Sequence, residues 1–131
     1  MWRRKQKVLI VNHDASSIHI MRTILEKEGY KAIVALDGKE ALDIMEKEYP
    51  NLVLLDIMMP KMDGFIVLNR MKEHKKLKNI PVIVVSAVCG QEYIEEAVAR
   101  GAMDYMSIPF EDEELLLRVT ACIRPARMRI F

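Results

Sequence analysis

The sequence is poor in the features that announce several common functions. It carries two cysteines in 131 residues, Cys89 and Cys122. They lie far apart in no metal-ligand spacing, so both read as free thiols of a cytoplasmic protein, not as a disulfide or a zinc site. It has five glycines, and none falls in "NHDASS", the segment after the first apolar run. That excludes a glycine-rich phosphate cradle of the dinucleotide or P-loop kind, and the phosphate loop that a flavin site needs. No apolar run approaches the ~18 residues of a membrane span, and "VLIV" is too short for the core of a secretory signal. Neither sign of charge dominates: the net charge is +1 with 30% charged residues. No global field therefore draws in nucleic acid or a membrane surface. Basic residues gather at the two ends, which read as solvated tails at 1–6 and 124–131 around a single domain at 7–123.

What the chain does have is apolar residue, 51% of it, enough for one buried core. Short apolar runs alternate with longer amphipathic ones. "KVLIV", "KAIVAL", "NLVLLD", "IPVIVVSA" and "DYMSI" read as strands, the first and third continuous enough to be buried on both faces. Between them, Ile18, Met21 and Leu25 mark a helical stripe that Ile20 and Ile24 widen, and Gly29 ends that helix. Asp37 caps the next helix. Pro60 and Asp63-Gly64 mark a loop before the third helix, and "KKLKN" after that helix reads as a solvated loop. "QEYIEEAVAR" and "EDEELLLRVTACI" complete the set, the last with its acids in the first turn, where they suit the helix dipole.

Five β-α repeats imply an α/β fold: a doubly wound parallel sheet covered by helices on both faces. Such a sheet binds its ligand beyond the carboxyl ends of the strands, where the winding reverses. The candidate site therefore comprises Asn12, His13 and Asp14 after the first strand and Asp56 after the third. Ser86 and Ala87 follow the fourth strand, and Ile108 and Pro109 the fifth.

"LVLLDIMMPKMDGFIVL" resembles the phosphoacceptor segment of the receiver domains of two-component response regulators, and "IPVIVVSA" and "RGAMDYMSIPFEDEELLLRV" resemble their last two β-α units. The resemblance runs from about Lys7 to Ile123. It implies a flavodoxin-like sheet of five strands in the order 2-1-3-4-5 with five helices. It also implies a signalling module, not an enzyme, that takes a phosphoryl group from a histidine kinase onto Asp56 with Mg²⁺ beside it. On the same resemblance Ser86 and Tyr105 are the switch pair, and the carbonyl of Met58 is a metal ligand. The helix-four, strand-five, helix-five face, about 91–123, is the surface offered to partners, a second copy included.

Two positions depart from the family pattern. The acidic pair after the first strand reads Asn12-His13, and the lysine before the last loop's proline reads Ile108. Asp14 is acidic but one place late, and it is expected to cap the first helix. Asp56 and the carbonyl of Met58 are then the remaining metal donors. Mg²⁺ wants carboxylate oxygen, so its binding is expected to be weak. Phosphoryl transfer relies on positioning and cationic stabilisation, so the missing charges imply weak or absent phosphorylation, with altered kinetics on Asp56 as the alternative. Two expectations stand side by side for His13: a neutral residue at a strand end, or a protonated one that partly replaces the missing cation and holds the Asp56 pKa down. His19 and His74 fit no ligand spacing. An independent nucleotide-binding enzyme on the same fold is disfavoured. Besides the missing glycine loop, Asp56 is followed by Ile57 and Met58, without the second aspartate of aspartate-based phosphatases.

Overall fold

The computed structural model describes residues 5–88 and 90–123. Cys89, residues 1–4 of the expected N-terminal tail and all of the expected C-terminal tail at 124–131 lie outside the described residues. Strands and helices alternate: β1 (Lys7–Val11), α1 (Ala15–Lys27), β2 (Lys31–Ala35), α2 (Gly38–Glu48), β3 (Leu52–Leu55), α3 (Gly64–Glu73), β4 (Val82–Ser86), α4 (Gln91–Ala99), β5 (Asp104–Ser107) and α5 (Asp112–Cys122). Every strand pair is parallel, and the order is 2-1-3-4-5. The expected architecture is the observed one.

The continuous apolar strands follow from burial on both faces. Val8 and Ile10 of β1, Leu52 and Leu54 of β3 and Ile83 and Val85 of β4 point into one core, with Met21, Ile24 and Leu25 of α1 and Leu115 and Val119 of α5. Their neighbours Leu9, Val11, Val53, Leu55, Val82 and Val84 point into the other, under α2, α3 and α4. Each fully buried aliphatic side chain of this size contributes ~1.5–3 kcal/mol relative to exposure. The helix starts are set by carboxylates. Asp14, Asp37 and Asp63 accept from the backbone N–H of Ser17, Glu40 and Ile66. Past α1 the chain turns through Gly29 at φ +89°, a conformation that a side chain resists.

Two details differ from the sequence expectation. Ile20 does not widen the buried stripe of α1, for it is 49% exposed. The helix shares its sheet face with α5 and buries only the narrower row of Met21, Ile24 and Leu25. The "KKLKN" stretch is a turn whose lysines stay out, but Leu77 at its centre is 1% exposed and packs into the α2–α3–α4 core. Among the described residues no helix is long and apolar enough to cross a membrane.

Candidate functional site

The winding reverses at β1, between β2 and β3. Backbone bonds fix the residues that emerge there. The Asn12 N–H donates to Ala35 O at 3.1 Å, the Asp56 N–H to Val11 O at 3.0 Å, and the Ile108 N–H to Ser86 O at 3.0 Å. These bonds bring the ends of β1, β3, β4 and β5 around one cavity of about 250 Å³, lined by Asn12, His13, Asp14, Ser17, Asp56, Met58, Ser86, Ala87 and Ile108. Pro109 is not in its wall. It is exposed and lines an adjoining hollow with Ile20 and Phe110. A larger depression of about 450 Å³ lies elsewhere, between the start of α2 and Lys61-Met62, and holds none of the candidate residues.

Asp56 is 9% exposed and has the central position. Burial pushes its pKa above the ordinary aspartate value. The Ser86 hydroxyl, the Met58 N–H, the charge of His13 and the Ile57 N–H oppose that shift without overcoming it. His13 acts on the Asp56 pKa in the expected downward direction, but the net shift is upward, because desolvation of the carboxylate is the larger effect. His13 stands exposed at the rim of the cavity. The Met58 N–H donates to Asp56 Oδ1 at 3.2 Å, while the Met58 side chain is 56% exposed.

Close approach of the loop after β3 makes this contact set. The Gly64 N–H donates to Ile57 O at 2.9 Å, and a Cβ on Gly64 would stand 2.5 Å from the Asp56 carbonyl oxygen. Only glycine lets α3 begin so near the aspartate. Two oxygen-bearing side chains after β1 are partly engaged by the start of α1. Asn12 Oδ1 accepts from the Asp14 N–H at 2.8 Å. Asp14 Oδ2 takes the Ser17 N–H at 2.9 Å, the Ser17 hydroxyl at 2.8 Å and the Ser16 hydroxyl at 3.1 Å. Those bonds, with the Ser17 hydroxyl first, draw the Asp14 carboxyl below its usual pKa. Asp14 is thus the α1 cap that the sequence suggested. Among the described residues, no three side chains of His, Cys, Asp or Glu gather as a metal-ligand group.

Ser86 and Tyr105 are linked through the chain after β4. The buried Ser86 Oγ accepts from the Val88 N–H at 3.2 Å, and the Tyr105 hydroxyl donates to the Val88 carbonyl. Tyr105 is buried against the α2–α3–α4 core. His19 is exposed, and His74, at the C-terminal end of α3, lies 3.4 Å from Glu46 and is not in the cavity wall. Sequence reasoning missed Ser17 as a wall residue. The signal was available, because a residue three places after an N-cap returns to the cap's side chain.

Fold and cavity together define a doubly wound α/β domain with an aspartate-centred pocket at its topological switch point. The family model described as the response regulator receiver domain matches residues 8–120, and the chain belongs to that family. It is 40% identical over 129 residues to the "Probable transcriptional regulator ycf27" of Porphyra purpurea, covering 96% of this chain and 51% of that protein. It is 31% identical over 118 residues to the "Response regulator PleD" of Caulobacter vibrioides, covering 90% and 26%. The chain therefore spans about half the length of the first relative and a quarter of the second. Among solved structures, a response regulator from Chloroflexus aurantiacus superposes with a TM-score of 0.89 at 28% identity, over 93% of this chain and all of that one. The Vibrio cholerae chemotaxis protein CheY4 gives 0.85 at 28% identity, over 91% and 99%. Receiver domains are signalling modules of two-component systems. In general they bind Mg²⁺ at the phosphorylation site and interact with histidine kinases and other signalling proteins.

Proposed function

We infer that this chain is an atypical receiver domain, acting as a protein-interaction module whose Mg²⁺-dependent phosphorylation on Asp56 is weak or absent. The observation that carries this is the wall around Asp56. Asn12, an amide, has its Oδ1 taken by the Asp14 N–H, Asp14 is exposed with its Oδ2 tied to the α1 start, and Ile108 presents hydrocarbon where a receiver presents an ammonium. The donor set thus does not fit a tightly held Mg²⁺, which is hard and prefers carboxylates. Losing one buried ionic partner commonly costs ~3–5 kcal/mol, and each ~1.4 kcal/mol placed on the transition state slows transfer tenfold.

The interaction surface is the α4–β5–α5 face. Val98 of α4, Met103 before β5 and Leu117 of α5 are exposed apolar residues there. Arg118 Nη1 meets both oxygens of Asp104 at 2.7 Å, an ordered charge pair at the same surface. A signalling protein, a histidine kinase among them, or a second copy of the domain would dock on this face. Nucleic acid and membrane are not partners of this domain in this reading. The chain from Ser86 through Val88 to Tyr105 joins the pocket to that face and is the route by which Ser86 and Tyr105 act as switch residues.

A second reading keeps Asp56 as a working phosphoacceptor with altered kinetics. The Ser86 hydroxyl and the Met58 N–H already directed at the carboxylate favour it. One experiment separates the two. Mg²⁺ at a few millimolar, followed by amide NMR, is expected to leave Asn12, Asp56 and Met58 nearly unmoved, and acetyl phosphate is expected to label Asp56 slowly or not at all. Saturable sub-millimolar Mg²⁺ binding with rapid labelling establishes the second reading.

A further inference from the structure

A second hollow adjoins the cavity over Asp56. The first, about 250 Å³, and the second, about 90 Å³, share Ser17 and Ile108 in their walls. The first is acidic, with buried Asp56 and the exposed carboxylate of Asp14 in its lining. The other is apolar, formed by Ile20, Ile108, Pro109 and Phe110. The Met58 N–H donates to Asp56 and the Ser86 hydroxyl shares the cavity with it, but neither brings a charge. Among the described residues that line the two hollows there is no lysine or arginine, and His13 stands exposed at the rim.

A carboxylate held out of water is costly until a cation meets it. The hydrocarbon beside it gains from an apolar stem. A primary ammonium on an unbranched alkyl chain supplies both. We propose that the double hollow receives the lysine side chain of a partner protein, with the ammonium between Asp56 and Asp14 and the methylenes along Ile108 toward Phe110. The rim favours a lysine on a protein surface over a free aliphatic amine. Met58 and Ile20 flank the opening and are exposed large apolar residues, whose coverage by the residues around the lysine adds contact that a small amine does not offer. The ammonium, a compact charge with three donors, also suits a carboxylate that already accepts from protein groups better than a planar guanidinium does. The inference rests on the proposal above that this receiver lacks its pocket cation, and it places that cation on the partner.

The test is an amide-resolved NMR titration of this chain without Mg²⁺ or phosphodonor. The probes are n-butylamine hydrochloride, n-butanol, and the capped tripeptides acetyl-Leu-Lys-Leu-amide and acetyl-Leu-Gln-Leu-amide. Saturable shifts at Asn12, Asp56, Ser86 and Ile108 are expected with the amine and the lysine peptide, tighter with the peptide, and not with butanol or the glutamine peptide. Affinity is expected to fall about tenfold in Asp56→Asn, the usual scale of a lost charged hydrogen bond. Ile108→Lys, which fills the cavity from within, is expected to abolish the shifts with Asp56 intact. Native amide dispersion over α2 and α3 in both variants shows that each is folded. An equal response to butanol, or unchanged affinity in the two variants, overturns the proposal. Amine binding with no gain for the lysine peptide overturns the partner's lysine and leaves a small-amine site. Rapid labelling of Asp56 in the separate phosphorylation assay would refute weak phosphorylation, and the titration would still decide the lysine proposal by itself.

Discussion

Ile108→Lys is the substitution that tests most of the reasoning about phosphorylation. Ile108 is half-buried, packs against the α1–α5 core and shares the cavity wall with Asp56. A lysine there retains methylenes for the apolar contact and carries an ammonium into the cavity. Two unit charges ~4 Å apart attract by ~4 kcal/mol at an effective dielectric of ~20. Taking the ammonium out of water cancels much of this. A net ~1.4 kcal/mol for the transferring phosphoryl group is a tenfold gain in rate. The metal would still be poorly held, because Asn12 Oδ1 remains bonded to the Asp14 N–H. The single variant is therefore expected to accept phosphate from acetyl phosphate no more than about tenfold faster than the parent. Adding Asn12→Asp and His13→Asp supplies the carboxylate oxygens. A recovered ~4 kcal/mol corresponds to about a thousandfold. Intact-protein mass spectrometry in millimolar Mg²⁺, with Asp56→Asn as the zero, measures all three. Equal rates for the single and triple variants would refute the metal argument. Rapid labelling of the parent would refute the impaired pocket altogether.

Three further outcomes test the structure itself. Because burial raises the folded pKa of Asp56, the folded state binds the extra proton between the unfolded value, near 3.8, and the higher folded one. The stabilisation from that group is complete below the unfolded pKa and lost as pH rises through the folded pKa. Asp56→Asn is therefore expected to raise the melting temperature at pH 7, with the gain vanishing below about pH 4, and a gain independent of pH contradicts the burial argument. Leu77→Ala removes a side chain that is 1% exposed. It is expected to cost ~2–5 kcal/mol in urea unfolding, and a surface-like cost of ~0.5 kcal/mol or less would return the turn to solvent. Gly64→Ala places a Cβ 2.5 Å from the Asp56 carbonyl oxygen and 2.8 Å from Ile57 Cα, both backbone atoms. A loss of ~1–3 kcal/mol is expected in the same assay, and an unchanged midpoint would show that the loop yields.

Much of the fold was legible in the sequence because it depends on local regularities. Continuous apolar runs can be buried only on both faces, so "VLIV" and "NLVLL" read directly as central strands of a parallel sheet. Asp37 and Asp14 were legible as caps because a cap acts on a residue three places on, in the same stretch of chain. The aspartate pocket was legible because strand ends meet at a switch point whatever the side chains are. Ile108 and Asn12-His13 then stood out as departures from a pattern of known spacing.

The tertiary structure decided what depends on residues far apart in the chain. Ile20 and Leu77 exchanged their expected surroundings because α5, the neighbour of α1 on its face of the sheet, set the width of the buried stripe, while the α2–α3–α4 core had room for one more side chain. Pro109 left the cavity and Ser17 entered it, since the wall is made by packing α1 against the loop after β5. The balance at Asp56 went to burial over the charge of His13, because desolvation depends on every atom that covers the carboxylate and no spacing in the sequence records that cover. The sequence by itself determined which chemical groups reach the strand ends; how deeply each sits, and which are already hydrogen-bonded, came only from long-range packing.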